Sequence, residues 1–243
     1  MIQITENNQA TASGEILSDF TFSHVVFGEG FYKLALKVDR ASGSSDIIPL
    51  VISERLINTN KSYIGRHIKV RGQFQSYNKH EDGRSHLVLS LFVKELEFLD
   101  AIDGHDLNEV FLDGYLCKEP VYRTTFLGRE IADVMLAVNR AYNRTDYIPC
   151  ICWGRNARYV GRLPVGVHVQ FAGRIQSREY QKRLSEDTVI KRTAYEVSVS
   201  KICVLPVPAE TEEQPEQENL PEWKSRMLRN FLRGHDYERR EDV

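Results

Sequence analysis

The chain has 243 residues, 42% of them hydrophobic and 10% aromatic, which is the profile of a folded globular protein with one large domain or two small ones. No apolar run reaches the roughly 18 residues of a membrane helix, and the N-terminal MIQITENNQATASGE lacks the basic-then-apolar order of an export signal, so a cytoplasmic setting is expected. The net charge of −2 hides an uneven distribution: residues 104–205 hold 15 Lys and Arg against 11 Asp and Glu, residues 1–103 hold 11 against 13, and residues 206–243 hold 6 against 10.

The elements of the first half return in the second. "SGEIL" at Ser13 matches "DGYLC" at Asp113. "LALKVDRASGSSDIIPLVIS" from Leu34 aligns without gaps on "VMLAVNRAYNRTDYIPCICW" from Val134, so Leu36, Val38, Arg40, Ala41, Asp46, Ile48 and Pro49 recur one hundred residues later. "VRGQFQS" at Val70 matches "FAGRIQS" at Phe171 after a one-residue shift. A repeat of that length is a duplicated domain, not a solenoid unit. Two units follow, 1–103 and 104–205.

Each unit reads as all-β. In the second, Phe111–Leu116 forms a first strand, with Gly114 as a place for a bulge or sharp bend. Val134, Leu136 and Val138 alternate with polar neighbours, and Tyr147–Trp153 follows as a third strand. "GRNARYVGRLPVG" is a short helical turn or loop. Val167 to Ile175 alternates again, with His168, Gln170, Ala172, Arg174 and Gln176 on the outward side. Gln181–Arg192 reads as a protruding hairpin, and Tyr195, Val197 and Val199 belong to the last strand. Five strands with one short helical connection indicate a small closed barrel. Beyond it, residues 206–221 are an acidic, Pro- and Gln-rich flexible linker. Residues 222–243 carry Trp223, Met227, Leu228, Phe231 and Leu232 at helical spacing, a short amphipathic helix that needs a surface to dock on.

The cysteines look at first like a metal or redox site, because Cys150 and Cys152 lie two apart in "DYIPCICWGR". As a strand, that stretch turns Ile148, Cys150 and Cys152 to one side and Tyr147, Pro149, Ile151 and Trp153 to the other. The repeat is an internal control: the first unit has Ile48, Leu50 and Ile52 on the former side. The cysteines therefore stand in for core residues, and a structural zinc site would need about four ligands. The other side gains Tyr147 and Trp153 where the first unit has Ile47 and Ser53. With Tyr142 in the preceding loop and Tyr180 past the fourth strand, four rings lie among Arg123, Arg140, Arg144, Arg174 and Arg178. Rings that stack bases and guanidiniums that meet phosphates are what a single-stranded nucleic acid requires.

"NEVFLDGYLCKEPVYR" at Asn108, "GREIADVMLAVNRAY" at Gly128, "DYIPCICWGRNARYVGR" at Asp146 and "GVHVQFAGRIQSREYQ" at Gly166 resemble bacterial single-stranded DNA-binding proteins in order and spacing along nearly the whole second unit. The resemblance implies an OB-fold, two in tandem here, and a non-enzymatic function: sequence-independent binding of single-stranded DNA in replication, recombination or repair. The family's stacking aromatics fall on Tyr142, Tyr147, Trp153 and Tyr180. The corresponding positions of the first unit are Ser42, Ile47, Ser53 and Lys79, so that unit reads as a scaffold or weak binder. By analogy with the two-fold branch of the family, a homodimer would present four OB-folds, nucleoid-associated in the cytoplasm. The C-terminal helix would be a contact for replication or recombination proteins. Alternatives are a protein-interaction or primosome-type accessory OB module and a binder of single-stranded RNA. No cofactor, metal or catalytic constellation is expected, and the seven histidines are scattered and expected to be mostly solvated.

Overall fold

The computed structural model describes residues 7–81, 83–100, 105–183 and 189–206. The expected acidic linker and C-terminal helix lie outside the described residues. Among the described residues, twelve strands and one helix run in chain order. The first half contains β1 (Asn8–Ile16), β2 (Thr21–Val26), β3 (Glu29–Asp39), β4 (Ser45–Ser53), β5 (His67–Glu81) and β6 (Arg84–Leu99). The second contains β7 (Asn108–Leu116), β8 (Val121–Thr124), β9 (Glu130–Arg140), β10 (Arg144–Trp153), α1 (Arg155–Val160), β11 (His168–Arg183) and β12 (Val189–Val204).

Each half closes on itself. The sheet order is β2-β3-β4-β6-β5-β1-β7-β11-β12-β10-β9-β8, and the extra pairings β3–β1 and β7–β9 turn the two sides into barrels of five strands. Period-two hydrophobicity is the cause. Leu34, Leu36 and Val38 of β3 and Ile48, Leu50 and Ile52 of β4 fill one interior, and Val134, Leu136, Val138, Ile148, Cys150 and Cys152 fill the other. A short sixth strand, β2 or β8, hangs outside each barrel on β3 or β9. Every residue of β8 is exposed, so no burial alternation marked it in the sequence. The helix between the third and fourth barrel strands forms in the second half only; residues 54–66 of the first are turns.

Gly114 serves a close approach and not a bulge. A Cβ there would fall 2.3 Å from the Ala137 carbonyl oxygen, because β7 leaves β11 and joins β9 at this point. Its counterpart Gly14 would meet the Lys37 carbonyl at 2.0 Å.

The halves are joined by an antiparallel pairing of β1 with β7, from Asn8↔Leu112 to Ala12↔Asn108, centred on Ala10↔Val110. Under the hundred-residue equivalence Asn8 corresponds to Asn108 and Ala12 to Leu112, so the seam is self-complementary, the internal form of an isologous dimer contact. The asparagine amides continue the ladders on both sides of it. Asn8 donates to the Phe74 carbonyl (2.7 Å) and accepts from the Phe74 N–H (2.9 Å). Asn108 does the same with Ile175, at 2.8 Å each way.

Candidate nucleic-acid interface

Strand β10 carries most of the site. Tyr147 and Trp153 lie on its outer face, 46% and 37% exposed, and Tyr142 precedes it in the β9–β10 turn at 90%. The turn puts Tyr142 and Asn143 in the left-handed region, at φ 62° and 54°. Holding a tyrosine there is uncommon and strained by about 1 kcal/mol or more, and the result is a ring held clear of the protein. The six residue steps from Tyr147 to Trp153 correspond to about 20 Å of extended chain. The Trp153 indole N–H donates to Ser198 Oγ at 3.2 Å, which fixes the ring's edge. Within the barrel, burial drives the thiol of Cys152 up to about 12 and that of Cys150 well above its ordinary value, so both are inert core groups. Ile151, expected on the outer face, is buried at 6% exposure.

Tyr180 stands on a different strand from Tyr147 and Trp153. It belongs to β11, and the β11–β12 arm crosses the seam to the first half. The Ser177 N–H and hydroxyl both donate to Asp46 Oδ1, at 2.8 and 3.3 Å, and the Ile47 N–H donates to Ser177 Oγ at 3.1 Å. Tyr195 of β12 lines a cleft with Lys33, Ala35, Ile47 and Pro49 on the outer surface of the first barrel. The reverse exchange also occurs: the Ser76 N–H donates to Asp146 Oδ1 (2.8 Å), and the Tyr147 N–H to Ser76 Oγ (2.7 Å). Tyr180, 38% exposed, is thus presented three residues beyond the Asp46 contact. The site is held by both halves, although all four rings belong to the second. Its signal in the sequence was the recurrence of Gln-Ser, as Gln75-Ser76 and Gln176-Ser177, together with the recurring Asp46 and Asp146.

The five arginines divide by partner. Arg140 donates to Gln75 Oε1 of the first half (2.8 Å) and to the buried Asp146 (3.3 Å). Arg174 reaches Asp46 Oδ2 at 3.1 Å and Gln176 Oε1 at 3.3 Å. Its guanidinium is shifted down by burial and by nearby Arg40, with Asp46 opposing. These two hold the seam together. Arg123, on β8, pairs with Asp133 at 2.8 Å and stays half exposed. Arg144 and Arg178 are exposed, and neither forms an ion pair among the described residues. Two side chains expected to be outward and solvated are held instead. His168 lies 2.5 Å from Asp113 Oδ1 and stacks on Tyr115, and Gln170 is buried, donating to Asp113 Oδ2 at 2.6 Å. Among the described residues no group of three or more His, Cys, Asp or Glu is placed to hold a metal, and no helix is long and apolar enough to cross a membrane.

Residues 107–205 match the model of the single-strand binding protein family. Single-stranded DNA-binding protein B of Bacillus subtilis (strain 168) is 37% identical over 81 residues, which are 30% of this chain and 72% of that protein. Single-stranded DNA-binding protein 1 of Staphylococcus aureus (strain COL) is 39% identical over 84 residues, 32% of this chain and 50% of that one. The chain thus spans about half the length of such relatives. The wild-type single-stranded DNA binding protein of Thermus aquaticus superposes with a TM-score of 0.66 at 19% identity, covering 85% of this chain and 96% of that one, so the tandem-barrel fold is shared along most of both. With a family match over the second barrel and a B. subtilis relative covered for most of its length, this chain belongs to the single-strand binding protein family.

Proposed function

We propose that this chain binds single-stranded DNA without sequence preference and acts by binding alone, in replication, recombination or repair. The observation that carries the reading is the exposed pair Tyr147 and Trp153 on the outer face of β10, in the barrel that matches the family. Bases stack on such rings whatever their identity, and exposed Arg144 and Arg178 are available to phosphates. Tyr142 extends the line at one end, and Tyr180 adds a ring on β11. Arg140 and Arg174 contribute by holding the arms in place, and Arg123 by a half-exposed guanidinium at the β8 edge. A homodimer would present four barrels to one strand, in the cytoplasm with the nucleoid; sedimentation at the monomer mass would rule that assembly out.

Titration with oligo-dT should quench Trp153 fluorescence, with affinity that falls steeply with salt. Trp153→Ala with Tyr180→Ala should weaken binding by about 2–6 kcal/mol, the two stacks adding because they lie on different elements. A double variant that binds like the wild type would remove these rings from the site. A purified chain that fails to bind oligo-dT below micromolar concentration at physiological salt would favour the protein-interaction reading.

A further inference from the structure

The rings of the site stand on the second half, yet the backbone of one of them is held from the first. Strand β10 pairs with β9 along its whole length, from Arg144↔Arg140 to Trp153↔Ile131, but with β12 only at Cys150–Cys152. At Tyr147 the other edge of β10 has no strand paired to it, and a backbone donor there needs an acceptor from elsewhere. Ser76 of β5 supplies it. The Tyr147 N–H donates to Ser76 Oγ at 2.7 Å, and the Ser76 N–H donates to Asp146 Oδ1 at 2.8 Å. Two successive residues of β10 are thus bound by one residue of the first half, itself buried at 6% exposure.

Gln75 steadies the same spot from one residue earlier. Its Oε1 accepts from Arg140 at 2.8 Å, and its Nε2 donates to Gln73 Oε1 at 3.0 Å. Arg140 in turn donates to Asp146 Oδ1 at 3.3 Å. The Tyr147 ring projects from a backbone fixed in this way, with its own N–H tied to Ser76 and the carboxylate before it buried.

The other side of the seam has the matching contact and no ring. The Ile47 N–H donates to Ser177 Oγ at 3.1 Å, and the Ser177 N–H donates to Asp46 Oδ1 at 2.8 Å. Asp46 is bound by two guanidiniums, Arg40 and Arg174, whereas among the described residues Asp146 has Arg140 alone. The Ile47 side is pinned by charge, and the Tyr147 side depends on the hydrogen bonds of Ser76. The first half has Ile47 and Ser53 at the ring positions of β10, but its Gln75-Ser76 pair serves a ring of the other half.

We propose that Ser76 is a positioning residue for Tyr147, so that the first half takes part in strand binding by setting how that ring meets a base. A ring held in its bound placement loses less freedom when a base stacks on it, and affinity gains by that amount. The proposal rests on the DNA-binding reading above. It gives the first half a role in that reading that is neither a contact with the strand nor passive support.

The test is a double-mutant cycle in the intact chain, read by the fluorescence anisotropy of labelled oligo-dT of about 30 nucleotides, long enough for two barrels. The urea midpoint of each variant checks that it folds. Ser76→Ala should weaken binding by about 3- to 10-fold, the size of one neutral hydrogen bond. Ser76→Thr keeps the hydroxyl and should restore the affinity. The near-isosteric Ser76→Cys is a weak acceptor, should behave like Ser76→Ala, and takes its place if that variant does not fold. In a Tyr147→Ala background Ser76→Ala should cost nothing more, while in a Trp153→Ala background its full loss should remain. Ser177→Ala removes the matching contact at Ile47, and whatever it costs should be the same with and without the Tyr147 ring. An undiminished Ser76→Ala loss in the Tyr147→Ala background overturns the proposal, because Ser76 would then act on the fold or on the strand directly. So does wild-type affinity in Ser76→Ala. A wild type that binds no oligo-dT would instead sink the DNA-binding reading, and the proposal with it.

Discussion

Asp46 and Asp146 are the same residue of the duplicated frame, both almost fully buried and each bound by the arm of the opposite half. Asp46 collects Arg40, Arg174 and Ser177. Asp146 has the Ser76 N–H and a longer contact to Arg140. The Asp146 carboxyl is accordingly raised above its ordinary value of 3.8, mainly by burial, with the Ser76 N–H and Arg140 opposing. A carboxyl with a raised folded-state pKa binds its proton more tightly in the native chain than in the unfolded one. Its contribution to stability is complete below pH 3.8 and is lost as pH rises through the raised value. Asp146→Asn keeps an acceptor for the Ser76 N–H and removes the titration. In urea titrations across pH, the stability difference between wild type and variant should favour the wild type most at the acid end and shrink on the way up. A difference that widened with pH would mean that the native fold stabilises the ion.

Between elements, close approach decides what packing can tolerate. At Gly114 the neighbour is backbone, the Ala137 carbonyl, which cannot swing aside. Gly114→Val should therefore open the β7–β9 closure and destabilise the chain by about 1–3 kcal/mol, read from the urea midpoint. Gly128→Ala is the useful comparison. Its φ is +74° with open space around it, so it should lose only the backbone preference, about 1 kcal/mol. Equal losses at the two sites would mean that the β7–β9 contact yields. The barrel strands were legible in the sequence because their interiors alternate, as in Leu34, Leu36 and Val38. β2 and β8 were not, since a strand exposed on both faces has no period to read. The crossing of the arms was equally hidden: Gln181–Arg192 read as a hairpin, but a hairpin's polarity does not say which surface it will lie against.

For the whole molecule, the seam explains what the duplication preserved. Because β1 meets β7 about a pseudo-two-fold centred on Ala10 and Val110, a single half carries a self-complementary edge. Residues 104–206 expressed alone should pair β7 with β7 and sediment as a dimer, Val110 facing Val110 and each Asn108 facing Leu112. A stable monomer would show that the β1–β7 ladder needs groups unique to the first half. The sequence by itself determined the all-β class, the two barrels, the inward cysteines and the rings on the outer face of β10. These depend on period-two burial and on comparison of the two copies, and both are local properties of the chain. Only the tertiary structure decided that the strand bearing Tyr180 is bound to the first half through Ser177, and that Arg140 and Arg174 are held by buried carboxylates. The physical reason is that a side chain's partner, unlike its face, can come from far along the chain, as between Gln75 and Arg140 with a separation of 65 and Asp46 and Arg174 with one of 128.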